Sequence, residues 1–177
     1  MSGLLFLALA FFAVAQAATV RNGGQSAADA AALAAARDDR DAFFDGFMAS
    51  AGDKDGWQDW LDLTAPLNGD GCGAAAEFAG KNDSDVLDCG AVVRDSDPGY
   101  SVRIKTRFDT GSSIIPGAEN RRATATATAV VQPLCDVDSD ADAKKIEIDC
   151  DGEEFEIDPD DEIDLEPADL FSVVLVD

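Results

Sequence analysis

The first twenty residues, MSGLLFLALAFFAVAQAATV, carry no charged side chain, and the first charge is Arg21. From Leu4 to Val20 the run is apolar or small, with Gln16 its one strongly polar interruption. At about 1.5 Å of rise per residue, a helix of this length just crosses a bilayer core. Ala15-Gln16-Ala17 resembles the small-residue site at which a secretory leader is cut, but no basic residue precedes the run. The reading therefore favours a segment that is kept. A helix that is apolar on every side cannot be covered by one face of a soluble domain. Lipid, or other helices, must surround it.

The rest of the chain is of the opposite character. Of 177 residues, 36 are acidic and 13 basic, giving a formal charge of −23. That balance argues against nucleic acid, whose phosphates reward basic surfaces. The ordinary reading is a solvated acidic surface; calcium binding and a high-salt habitat are the sharper ones. With no histidine, histidine triads and histidine-metal sites are excluded. No carboxylate pair stands out from the acidic background. Phosphate-loop, dinucleotide and nucleophile-elbow motifs are missing as well. The chain reads as a non-enzyme with no cofactor other than the calcium considered below.

After Val20 the pattern becomes amphipathic. Residues 25–50 read as helix, rich in alanine, the best helix former. Gly23-Gly24 marks a weak point where a kink is expected. The alanines suit close packing, either on the chain's own domain or on neighbouring helices. "AGDKDG" (51–56) is a turn, "WQDWLDL" (57–63) a short helix and "CGAAAEFAGKN" (72–82) a longer one. "SDVLDCGAVV" (84–93), "GYSVRIKTRF" (99–108) and "RRATATATAVV" (121–131) read as strands. In the second of these, Arg103, Lys105 and Arg107 share one face, suited to acidic strands or subunits. "KKIEIDCDGEEFEID" is a hairpin turning at Asp151-Gly152, and "LFSVVLV" (170–176) is a buried ending.

The four cysteines form no Cys-x-x-Cys pair, and an even count behind an apolar leader suits an oxidising compartment. Of the three possible pairings, Cys72–Cys89 with Cys135–Cys150 is favoured, because each bond then brackets one small unit. Downstream, "DVDSDADAKKIE" places Asp136, Asp138, Asp140 and Asp142 at alternate positions with Glu147 twelfth, a spacing like that of a calcium loop. Ala141 stands where the sharp turn needs glycine. Calcium and a solvated acidic loop both remain open, the second favoured.

The leader followed by "QAATVRNGGQSAADAAALAAAR" resembles the TadE/TadG-like proteins of tight-adherence (Tad) pilus systems. The "CGAAAEFAGKNDSDVLDC" unit, the two strands "YSVRIKTRF" and "RRATATATAVV", and the "ADLFSVVLVD" ending are similar to its actinobacterial branch. Leu5 stands where type IV pilins usually carry glutamate. The resemblance implies a pilin-like subunit that passes through the inner membrane with the pilus assembly machinery and joins a filament.

The expected architecture is thus α+β. A long N-terminal helix over 1–50, hydrophobic in 1–23 and amphipathic in 24–50, precedes an acidic, disulfide-containing head of antiparallel sheet and short helices over 51–177. Leu4, Leu5, Phe6, Leu7, Leu9, Phe11, Phe12, Val14 and Val20 form the assembly helix. Its partners are the membrane before assembly and further copies of the chain afterwards. The destination is the cell surface, as a filament. The rival expectation is a single-pass cell-envelope binding or adhesion protein that never polymerises.

Overall fold

The computed structural model of the chain describes residues 2–51, 56–67, 69–111, 119–137, 146–157 and 165–177. The fold is α+β. Helix α1 runs from Ser2 to Ser50 as one α-helix and is followed by α2 (Trp57–Leu61) and α3 (Gly71–Lys81). Strands β1 (Ser84–Arg94), β2 (Asp97–Thr106), β3 (Thr124–Pro133) and β7 (Phe171–Val176) make an antiparallel sheet in the order β1-β2-β3-β7. A second, three-stranded antiparallel sheet holds β4 (Cys135–Val137), β5 (Ile146–Cys150) and β6 (Glu153–Ile157). The short helix α4 (Pro167–Leu170) leads into β7.

Alanine explains how α1 sits on the sheet. Ala27, Ala28, Ala31, Ala32, Ala35 and Ala36 recur at helical spacing and are all fully buried. The helix packs against β2, β3, β7 and α3. On β3, Ala127 and Ala129 are buried in turn, and small side chains on both elements let the backbones approach closely. The alanine stripe therefore packs on the chain's own domain.

The glycine pair serves the same purpose and does not break α1. A Cβ on Gly24 would lie 2.9 Å from the Ala123 Cβ and 3.3 Å from the Thr106 Cγ2, and one on Gly23 would lie 2.9 Å from the Phe108 ring. The expected weak point is in fact where the helix first meets the sheet. Farther along, Phe43 and Phe47 are buried against an aromatic cluster. Phe47 lies edge-on to Trp57, with ring centroids 6.3 Å apart, and Phe43 lies 6.3 Å from Phe171. Gly46 leaves room for the Trp60 indole, which a side chain there would strike.

The turns follow local chemistry. Asp151 and Gly152 both have positive φ, 53° and 88°, the geometry of a two-residue turn matched to strand twist. Asp95 and Ser96 do the same between β1 and β2, with Arg94 paired to Asp97. Asp70 caps α3, its carboxylate accepting the Gly73 N–H at 3.1 Å. A disulfide joins Cys72 on α3 to Cys89 on β1, and another joins Cys135 on β4 to Cys150 on the facing strand β5. Strand β2 ends at Thr106, two residues short of the expected limit. Strand β3 runs from 124 to 133, shifted C-terminal to the expected 121–131.

Candidate functional site

The feature that sets this molecule apart is the uncovered half of α1. Leu4, Leu5, Phe6, Leu7, Leu9, Phe11, Phe12 and Val14 are between 43% and 77% exposed. Val20, 7% exposed, is the first side chain of α1 that the head buries. Of the nine residues assigned to the assembly helix, eight thus project from the head, and Val20 belongs to the junction. From Leu4 to Val20 the projection measures about 25 Å, against a hydrocarbon core of about 30 Å. Among the described residues, α1 alone is long and apolar enough to cross a membrane, and only 6% of its most apolar stretch is buried. It is a candidate single-pass anchor, and the two disulfides suit a head in an oxidising compartment.

The same helix then becomes the head's central element. Because α1 is continuous through Val20, the projecting segment and the alanine stripe are one rod with no linker between them. Residues 20–50 share the head's core with elements from the 51–177 segment. Arg21 is exposed just past the junction, and the Gln25 amide donates to the Asp29 carboxylate at 2.7 Å, one turn farther on.

Within the head, a polar contact crosses from helix to sheet. The Tyr100 hydroxyl on β2 donates to Asp39 Oδ1 on α1 at 3.3 Å. Asp39 is 7% exposed. Burial pushes its carboxyl above the usual carboxylate range; the Tyr100 hydrogen bond opposes this, and the neighbouring Asp38 charge adds to it. Burial, then the charge of Asp39, pushes the Tyr100 hydroxyl up to about 12. Gly69 closes over Asp39, since a Cβ there would lie 2.7 Å from Oδ1. This hydrogen bond links α1 to the sheet beside their apolar packing. It joins residues 61 apart, and nothing in the local pattern of either segment marks it.

The basic face of β2 is met partly from the neighbouring strand. Arg107 donates to Asp85 Oδ1, with Nη2 at 2.6 Å, while Arg103 and Lys105 are exposed. The Asp85 carboxyl is held below its usual range, first by the Arg107 hydrogen bond. Of the candidate calcium ligands, Asp136 lies on β4 opposite Asp149; Asp138, Asp140 and Asp142 lie outside the described residues. Among the described residues, no three carboxylates or cysteines converge as a metal site would need. Compared with known protein families, with curated proteins and with solved structures, the chain matches none.

Proposed function

We propose that the chain is a pilin-like structural subunit, held in a membrane by the first half of α1 and assembled with further copies of itself through that helix into a surface filament. The carrying observation is the row of eight large apolar side chains that the head leaves uncovered on a helix fixed rigidly into its core. Exposed apolar surface of this extent marks an interaction site. Lipid satisfies it before assembly, and neighbouring helices satisfy it afterwards. Ala8, Ala10, Ala13, Ala15 and Ala17 allow those helices to approach closely. The resemblance to TadE/TadG-like proteins points the same way. The role is structural, not enzymatic, and the pilus assembly machinery is the further partner.

The test is an Ala13→Asp substitution near the middle of the projecting segment. Buried between helices, an unpaired carboxylate costs several kcal/mol. Filaments seen by electron microscopy for the unaltered chain should be absent for the variant, while the melting of the head stays the same. Normal assembly of the variant would overturn the reading. An unaltered chain that stays in the membrane as a monomer would instead be an anchored envelope protein that does not polymerise.

A further inference from the structure

The chain has four asparagines, Asn22, Asn68, Asn82 and Asn120, and of these Asn82 alone is followed two residues on by a hydroxyl side chain. Asn82-Asp83-Ser84 is the tripeptide Asn-x-Ser with x other than proline, the acceptor pattern for N-linked sugar. So short a pattern recurs by chance. It carries weight only where its asparagine ends on the surface of a domain that is exported. The fold meets the first condition. Helix α3 ends at Lys81, Asn82 caps it, Asp83 turns the chain with φ 47°, and β1 begins at Ser84. Asn82 and Asp83 are both exposed. The Asn82 Nδ2 donates to the Phe78 carbonyl at 2.9 Å. A carboxamide nitrogen carries two hydrogens, and this contact uses one of them. The two disulfides suit the second condition, a head that matures in an oxidising compartment.

We infer that Asn82 is the acceptor for an N-linked glycan, supplied by a sugar carried on a polyprenyl phosphate or diphosphate. The inference rests on the part of the reading above that puts the head outside the cytoplasm. In the transfer, a bond forms from Nδ2 to the anomeric carbon, and the bond from that carbon to the phosphate oxygen breaks. The lipid phosphate leaves with the electron pair, and Nδ2 gives up one proton. The hydrogen that remains on Nδ2 still donates to the Phe78 carbonyl, so the end of α3 keeps its cap. Ser84 sets the order of events. Its side chain is fully buried, its Oγ donates to the Asn82 carbonyl at 3.1 Å, and the residue pairs with Thr106 on β2. A transferase that reads this hydroxyl must do so before β1 joins β2, while the chain is still being exported. Because Asn82 is exposed afterwards, the head closes with the sugar outside it. A Cβ on Gly24 would lie 3.3 Å from the Thr106 Cγ2, and the Arg107 N–H donates to the Asp83 carbonyl at 2.7 Å. Asn82 therefore stands at the end of the head from which α1 projects, on the side of α3 and β1. A glycan there keeps that side of the neck hydrated, and copies that meet through their projecting segments pack on its other sides.

The experiment purifies the full chain from the cells that make it and reads its proteolytic peptides by mass spectrometry. The peptide that contains Asn82 should exceed its sequence mass and, on fragmentation, lose single sugars in steps down to the bare peptide. Asn82→Gln, which keeps a carboxamide, should abolish the excess. Ser84→Ala should abolish it too, although the acceptor is untouched, and Ser84→Thr, which restores a hydroxyl, should bring it back. A merely structural role for this turn would give bare peptides throughout. The measurement on the unaltered chain stands even where a variant fails to fold. A bare Asn82 peptide from a membrane-held, disulfide-bonded chain would overturn the inference and leave the anchor intact. An excess that survives Asn82→Gln or Ser84→Ala would overturn it as well, because the sugar would then be elsewhere or be added without the hydroxyl. A chain found only in the cytoplasm, with its four cysteines reduced, would overturn both the exported head and the inference.

Discussion

Deleting residues 1–19, so that the chain starts at Val20, should change what the protein sticks to without changing how well it folds. The eight large side chains removed are 43–77% exposed. Fully burying one such side chain is worth about 1.5–3 kcal/mol, so together they present on the order of 10 kcal/mol of unfavourable contact with water. None of that is recovered by the head, whose first buried residue on α1 is Val20. Unfolding of the shortened chain should therefore match that of the full chain in detergent to within about 0.5 kcal/mol, the usual range for changes away from the core. Tryptophan fluorescence during urea denaturation reads this directly, because Trp57 is buried and Trp60 half-buried in the head. Sedimentation should show a monomer without detergent. A second cut, beginning at Ala32, supplies the contrast. It also removes Val20, Ala27, Ala28 and Ala31, all buried, at a cost of about 5 kcal/mol, comparable to the whole stability of many domains. If the first cut destabilised the head by several kcal/mol, or if the second did nothing, the division of α1 at Val20 would be refuted. The same holds if the full chain were a soluble monomer without detergent.

Three further outcomes follow from the packing and charges. Gly24→Leu should destabilise the head by about 1–3 kcal/mol in urea denaturation, since its first carbon already meets Ala123 at 2.9 Å. Replacing both Cys135 and Cys150 by serine, which opens a link between positions 15 apart, should cost about 3 kcal/mol by the same assay. Asp39→Asn should stabilise the head at neutral pH. The carboxyl titrates above its ordinary 3.8 in the folded state, so the folded form binds the proton more tightly than the unfolded form. The stability of the unaltered head therefore falls as pH rises from the ordinary to the raised value, and it levels off beyond. The advantage of asparagine should disappear in melting curves taken below about pH 3.8.

What could be read from the sequence was governed by distance along the chain. The uncharged run before Arg21, the alanine periodicity, the alternation in 99–108 and the Asp151-Gly152 turn are local signals, and each element lies where its pattern puts it, within a few residues. The cysteine pairing was accessible because both bonds span short stretches. What Gly23-Gly24 gains was not legible, because propensity records only what glycine costs a helix; the gain lies in the sheet that approaches it. Strand β4 and helix α4 are three and four residues long, too short to show a period. The Asp39–Tyr100 contact and the Gly46 seat for Trp60 arise only when distant segments meet.

The unbroken passage of α1 from the projecting segment into the head has a mechanical consequence. If the projecting half is gripped and the head is pulled, the load enters along the helix axis and reaches the sheet as shear across the alanine stripe. Buried contacts from Val20 to Phe47 then bear the load side by side and must slip together, with Gly24 seated against Thr106 and Ala123 and Asp39 bonded to Tyr100. A hinge after Val20 would instead have peeled those contacts apart one at a time, at much lower force. The Cys72–Cys89 link continues the load path covalently from α3, which lies on α1, to the edge strand β1. A pull along the helix would therefore meet these contacts together and not one at a time.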